Sequence, residues 1–325
     1  MRVIRYSEHG GPEVLTVDKV PVPEPGEGQL RVQVEAVGVN FIETQLRSGT
    51  APFPSPVPSA PRGDVVGRVE AVGSGEHRFA VGDRLAAWGV ADAYADRVLV
   101  TDGQAVAVPD DVSAPVATAL ASTAQVAANV LSVGRLAPGE SVLVHAAAGA
   151  IGHLVTQLAK LRGAGTVIGT VGSPEKAAFV REHGADVVVD YTAPDWSEQV
   201  RAATGGAGVD VVLDSVEGPV FAPSLALLKP LGRLVYYGFA GADGDVARVA
   251  LTDLLGLKSI VGTAFDAWLA AAPEEARRNQ RELTELVRDG RLRVAVHAVL
   301  PLEEAAQAHR LIEDRRQLGR VVLVP

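Results

Sequence analysis

Two short stretches carry residue types whose spacing suits chemistry. The first is the turn Ala146-x-x-Gly149-x-x-Gly152, set between the apolar run Val142-Leu143-Val144 and a helical pattern. Small residues there let the backbone turn sharply and approach a ligand. The helix that follows presents amide N–H groups and the positive end of its dipole, a natural seat for a pyrophosphate. The spacing is looser than G-x-G-x-x-G, and any tight strand-to-helix turn also favours small residues. The second stretch, Ser173-Pro174-Glu175-Lys176, follows about twenty residues on. A site for NAD carries Asp or Glu at the end of the second strand to accept from the ribose hydroxyls. Here the strand ends Gly169-Thr170-Val171-Gly172-Ser173 without a carboxylate. Ser173 has the form of an N-cap and Pro174 suits the first helical position. Lys176 opposes the helix dipole where a capping box would put Glu or Gln. An anion at the helix start resolves that conflict, and the expected one is the 2′-phosphate of NADPH, held by the Ser173 hydroxyl, cap amides and Lys176. The alternative is a solvated surface lysine.

Other chemistries lack their residues. The chain has no cysteine, hence no disulfide, thiolate nucleophile or cysteine-ligated zinc. Its seven histidines show no H-E-x-x-H or similar metal spacing, and His145, at the end of the first cofactor strand, reads as structural. No G-x-S-x-G elbow or Walker loop is present, which leaves hydrolase and phosphoryl-transfer readings unsupported. A net charge of −9 argues against nucleic acid or an anionic membrane surface as a main partner. No apolar run is expected to cross a bilayer and MRVIRYSEHGG lacks a signal-peptide core, so a cytoplasmic protein is expected.

The elements that must position these residues follow from pattern. At 325 residues, 47% hydrophobic and 21% charged, the chain exceeds one ordinary globular domain. Residues 2–110 alternate in the manner of strands, as in LRVQVEAV (30–37) and DVVGRVEAV (64–72), and predict a barrel-like, mostly antiparallel domain. Asn40 to Gly49 predicts a short helical turn, and the proline-rich APFPSPVPSAP an extended surface loop. Ser113 to Ser132 predicts one alanine-rich helix leading to a βαβ unit over Ser141 to Gly172. Alternating strands and helices then continue to a sixth strand at Ser259 to Thr263, which predicts a doubly wound parallel sheet. The tail, with a helix at Glu274 to Arg288, a strand at Leu292 to Val299, a helix at Leu302 to Ile312 and a strand at Arg320 to Val324, is expected to return to the first domain.

Stretches along nearly the whole chain resemble the zinc-free medium-chain dehydrogenase/reductases, and within them the NADPH-dependent quinone oxidoreductases. They are HGGPEVL, GVNFIETQLRSG, GRVEAVGSGEHRFAVGDR, HAAAGAIGHLVTQLAK, GTVGSPEKAAFVREHGADVVVDY, VDVVLDSV and LEEAAQAHRLIEDRRQLGRVVLVP. The resemblance implies an α/β architecture: a Rossmann-type, NADPH-binding domain (123–263) inserted into a GroES-like, mostly β catalytic domain (1–122 and 264–325). It places NADPH on Ala148, Gly149, Ala150 and Ile151 at the pyrophosphate, and on Gly172, Ser173, Lys176 and Tyr191 at the 2′-phosphate. Ser215, Gly238, Phe239, Ala240, Thr263, Ala264 and Phe265 are expected at the ribose and nicotinamide, with Arg315 also reaching the phosphate. Asn40 and Thr123 are implied to face nicotinamide or substrate from the interdomain cleft.

The chain departs from the family at marked places. Zinc-dependent relatives carry a cysteine where this chain reads Gly38-Val39-Asn40, and Gly-His-Glu where it reads Gly63-Asp64-Val65, so no catalytic metal is expected. Gln45, Ala51 and Gln125 stand where aromatics are common in quinone oxidoreductases, which removes two tyrosine hydroxyls as proton donors and alters the pocket. The expected function is hydride transfer from NADPH to a quinone or related electron-poor conjugated carbonyl, with Asn40 and Thr123 orienting the acceptor oxygen. The alternatives are an enoyl reductase acting on an α,β-unsaturated carbonyl and a noncatalytic NADPH-binding protein. A homodimer is expected, because the last strand of the parallel sheet leaves an edge to pair.

Overall fold

In the computed structural model, which describes residues 1–241 and 247–325, the chain divides into two units. Met1–Thr123 with Gln280–Pro325 forms one and Ala124–Asn279 the other. The first crossing lies one residue from the expected boundary. The return crossing lies within a helix at Asn279/Gln280 rather than at 263/264, because the chain after the last parallel strand stays on the second unit. There the Gln125 side-chain amide donates to the Ala276 carbonyl at 3.2 Å.

The first unit begins with an antiparallel pair, β1 (Arg2–Arg5) and β2 (Thr16–Lys19). There follow β3 (Gln29–Val39), α1 (Phe41–Ser48), β4 (Gly63–Val72), β5 (Arg84–Val90), β6 (Arg97–Thr101), β7 (Ala105–Ala107) and α2 (Ala114–Ala121). The expected turn after Asn40 is thus a two-turn helix, closed by Gly49 at φ +78, where its N–H reaches the Gln45 and Leu46 carbonyls. β3 is the spine of the sheet. β4 pairs antiparallel along it, β6 pairs with its first half, and its last residues await a strand from the far end of the chain. The first half of β3 alternates as the pattern predicts, with Leu30, Val32 and Val34 buried and the residues between them more exposed, whereas β4 and β5 are buried on both faces at Val65-Val66 and Leu85-Ala86.

The expected helix over 113–132 is two helices. α2 stops at Ser122, whose φ and ψ of −141° and −56° leave the helical region, and α3 (Thr123–Val133) starts afresh. A side-chain bond from Ser122 to Asp64 at 2.7 Å overrides the local helix propensity. Residues 114–133 are also long and apolar enough to span a bilayer, which corrects the expectation that no such run exists; most of the stretch is buried inside the protein.

The second unit continues through β8 (Ser141–Val144), α4 (Gly152–Leu161), β9 (Thr166–Val171), α5 (Ala177–Glu182), β10 (Val187–Asp190) and α6 (Trp196–Ala203). It is completed by β11 (Val209–Asp214), α7 (Phe221–Leu227), β12 (Leu228–Tyr236), β13 (Ser259–Gly262), α8 (Phe265–Ala271) and the start of α9 (Pro273–Arg288). The sheet order is β10-β9-β8-β11-β12-β13, parallel throughout, and it reverses direction at β8. Val142, Leu143 and Val144 are fully buried, as strands covered on both faces require.

The tail returns to the first unit. β14 (Val296–Pro301) begins later than expected, α10 (Ala305–Glu313) follows, and β15 (Arg320–Val324) pairs parallel with β14 and antiparallel with the end of β3. The seven-stranded sheet is therefore completed by residues from both ends of the chain.

Candidate functional site

In the Rossmann unit the turn after β8 is built on close backbone approach. Ala146 takes a left-handed φ of +49°, and its carbonyl accepts from Gly149 N at 2.9 Å. A Cβ on Gly152 would stand 2.2 Å from that same carbonyl, so only glycine fits where α4 begins. Ala148, Gly149, Ala150 and Ile151 thus form the bend directly before the positive end of a ten-residue helix. His145 lies beneath it and is fully buried. Ser224 gives its proton to Val220 O, so it accepts from His145 Nε2 at 2.7 Å, while Thr170 Oγ1 meets Nδ1 at 2.8 Å. With both nitrogens used and burial pushing its pKa below the ordinary value, this ring is a neutral structural strut.

The second stretch gathers at the end of β9. Asp190 of β10 lies opposite Val171 in register, and Tyr191 N donates to Val171 O at 3.0 Å. The Tyr191 ring is thereby laid on Gly172. A Cβ on Gly172 would come within 2.8 Å of the Tyr191 hydroxyl. Residues 174–176 form a 3₁₀ turn, with Lys176 N donating to Ser173 O at 3.2 Å, and α5 proper starts only at Ala177. The helix expected from Pro174 therefore begins three residues later, and Lys176 becomes its N-cap. The Ser173 side chain makes no cap bond of its own. Gly172 thus meets Tyr191, Ser173 meets Lys176 through the backbone, and the end of β9 itself, Val171-Gly172-Ser173, carries no carboxylate.

Farther along the sheet, Asp214 Oδ1 accepts from Val216 N at 2.7 Å and Glu217 N at 3.0 Å, which fixes the turn carrying Ser215. The Gly238-Phe239-Ala240 loop closes onto it. Ala240 N donates to Ser215 O at 3.0 Å, and a Cβ on Gly238 would meet Ser215 O at 3.1 Å. Thr263 follows β13 and donates its hydroxyl to Asn129 Oδ1 at 2.9 Å, with Ala264 capping α8 and Phe265 stacked on Trp268. Asn129 escaped the sequence reading, because a lone amide in an alanine-rich helix carries no motif. Arg315 belongs to the other unit, just after α10, at φ +53.

In the GroES-like unit Asn40 and Thr123 belong to one buried polar network. Asp64 Oδ2 accepts from Asn40 Nδ2 at 3.2 Å, Ser122 Oγ at 2.7 Å and Arg320 Nη2 at 3.1 Å. Arg320 also donates through Nη1 to Thr123 Oγ1 at 2.7 Å and through Nε to Thr118 Oγ1 at 3.1 Å. Arg320 and Asp64 are 0% and 2% exposed at the side chain. The sequence offers one signal for this pair, a charged residue opening the otherwise apolar strand RVVLV. Gln45, in place of an aromatic, is buried on α1. Two residues before it, Glu43 is buried too, and burial pushes its carboxyl up to about 7 although one oxygen accepts from Arg62 N at 2.8 Å.

Asp64 stands where zinc-dependent relatives carry a ligand, but its Oδ2 accepts from a guanidinium and two neutral donors, and the positive charge of Arg320 beside it opposes a second cation. These residues do not fit a zinc ion. Among the described residues no group of three or more His, Asp or Glu gathers that could hold a metal.

Comparison with known proteins agrees with this division. Residues 26–110 match the model of the alcohol dehydrogenase GroES-like domain, and residues 150–278 that of the zinc-binding dehydrogenases. A quinone oxidoreductase of Pseudomonas aeruginosa is 36% identical over 99% of both chains. A 2-haloacrylate reductase of a Burkholderia species is 36% identical over 97% of this chain and 96% of its own. Among solved structures, Escherichia coli quinone oxidoreductase complexed with NADPH superposes with a TM-score of 0.92 at 33% identity, covering both chains completely.

Proposed function

The chain belongs to the quinone oxidoreductase family of the medium-chain dehydrogenase/reductases, and from that membership we propose that it reduces quinones, or related electron-poor conjugated carbonyls, with NADPH. The observation that carries the cofactor choice is that β9 ends without a carboxylate of its own at an exposed Gly172, with the Tyr191 hydroxyl against that glycine and Lys176 N bonded to the carbonyl of the adjoining Ser173. When bound, NADPH supplies the hydride. The protein supplies seats and orientation. The turn from Ala148 to Ile151 would hold the pyrophosphate, Ser173 and Lys176 the 2′-phosphate, and Ser215, Gly238 to Ala240 and Thr263 to Phe265 the ribose and nicotinamide. Arg315 is proposed as a further phosphate contact. Asn40 and Thr123 would orient the acceptor oxygen, and solvent or a pocket hydroxyl would deliver the proton.

The 2-haloacrylate reductase relative favours one second reading, reduction of a carbon–carbon double bond conjugated to a carbonyl. A panel of quinones and α,β-unsaturated ketones, followed by NADPH absorbance, tests both. Turnover with quinones supports the first reading, turnover confined to enones the second. Tight NADPH binding with no turnover on either class supports a noncatalytic role.

We further propose a cytoplasmic homodimer. β13 ends the order of the parallel sheet, and Leu231, Leu251, Leu255 and Leu257 beside it are strongly exposed. A second copy related by a two-fold axis would pair that edge and cover those side chains. Light scattering at micromolar concentration should give about twice the 33.8 kDa chain mass, and Leu255→Asp should shift it to the monomer. A monomeric wild type would remove the proposal.

A further inference from the structure

The buried pair Arg320–Asp64 lies under both residues proposed to meet the acceptor, yet neither reading above gives it a task. Its path across the sheet is unusual. Strand register places Val322, Gly38 and Asp64 in one row across β15, β3 and β4. Arg320, two residues before Val322, sends its guanidinium over Gly38 to reach Asp64. A Cβ on Gly38 would lie 1.7 Å from Arg320 Nη2. The central strand is therefore bare at the one place where the cation must pass, and the arrangement stands independently of the hydrogen bonds.

Those bonds decide where two polar groups can point. Thr123 Oγ1 accepts a charge-assisted bond from Nη1 at 2.7 Å, so its own proton must leave in another direction. The acceptor within the protein is Ala119 O at 3.4 Å, much longer than an ordinary hydroxyl bond. A substrate oxygen at normal distance would win that proton. Donation from a guanidinium into the hydroxyl oxygen also polarises the O–H that remains. Asn40 is held likewise: its Nδ2 is anchored on Asp64, which fixes the plane of the amide.

We infer that Arg320 is a positioning residue for the reaction, aiming the Thr123 hydroxyl as a donor to the acceptor's carbonyl oxygen while holding Asp64 as the anchor for Asn40. The inference rests on the proposed reading of Thr123 and Asn40. Arg320 acts through Thr123 and touches no reacting atom.

The test is a double-mutant cycle on purified full-length protein with NADPH and a simple benzoquinone. Lysine keeps the charge but lacks the planar fork that serves Asp64, Thr123 and Thr118 together. Arg320→Lys should lower kcat about ten- to a hundredfold, while NADPH affinity by fluorescence titration moves about twofold at most. Thr123→Val should show a similar loss and Thr123→Ser should restore most of it. The pair Arg320→Lys/Thr123→Val should lose no more than either alone. The isotope effect with NADPH deuterated at the transferred position should rise in Arg320→Lys, since misaligned hydride transfer becomes rate-limiting; mere loss of folded enzyme leaves it unchanged. Should Arg320→Lys fail to fold, Thr118→Val keeps the ion pair and loosens only the aim of the guanidinium, with kcat expected to fall by about three- to tenfold. Wild-type kcat in the folded arginine or Thr118 variant, or additive losses in the cycle, would overturn the inference while leaving quinone reduction intact. An inactive wild type would instead overturn the function on which it rests.

Discussion

Glu43→Gln should stabilise the protein, and increasingly so as pH rises. The Glu43 side chain is buried in α1, and its carboxyl, ordinarily near 4.5, is pushed up to about 7, chiefly by burial and also by Asp64; the backbone bond from Arg62 opposes the shift. Between those two values the native state holds a proton that the unfolded chain has released. The protein therefore loses stability as pH climbs through the window; the penalty is absent below the unfolded value and complete above the folded one. A shift of about 2.5 units at 1.36 kcal/mol each is about 3 kcal/mol. Glutamine keeps an oxygen to accept from Arg62 N and carries no charge to desolvate. In urea unfolding, the variant should match the wild type within about 0.5 kcal/mol at pH 4.5 and exceed it by about 3 kcal/mol at pH 8. A difference between the two proteins that stays constant with pH, or that shrinks as pH rises, would refute the argument.

Two further outcomes concern the cofactor seat. Lys176→Ala should weaken NADPH about ten- to a hundredfold and leave NADH almost unchanged, with Ser173→Ala giving a smaller loss in the same direction; equal weakening of both cofactors in a binding titration would assign the lysine to the fold or the pyrophosphate. Gly172→Ala should also weaken NADPH, because the new methyl meets the Tyr191 hydroxyl at 2.8 Å, and adding Tyr191→Phe should recover part of the affinity; no recovery would mean that the clash with the hydroxyl is not what weakens binding.

The residues that work through local backbone geometry were legible in the chain. Gly149, Gly152 and Gly172 sit where the backbone must turn or be approached closely, and strand–helix alternation placed each of them. β15 was readable for the same reason, as an apolar run with a clear start at Arg320. What the chain concealed depends on contacts distant in sequence. The break at Ser122 cannot be seen in an alanine-rich stretch, because its cause is a bond to Asp64, 58 positions away. The partnership of Arg320 with Asp64 spans 256 positions, and Gly38 looks like any glycine until the guanidinium is seen above it. Lys176 lies between these cases. Its charge at a helix start was visible, but the 3₁₀ turn that makes it the cap of α5 depends on how Ser173 and Pro174 leave the strand.

The most direct test of NADPH-dependent quinone reduction is anaerobic steady-state turnover of one benzoquinone with NADPH and with NADH, with hydroquinone quantified against cofactor consumed. The arrangement at the end of β9 predicts kcat/KM at least about tenfold higher with NADPH, and one hydroquinone formed for each NADPH oxidised. Equal use of the two cofactors, or no hydroquinone from a protein that binds NADPH, would contradict it.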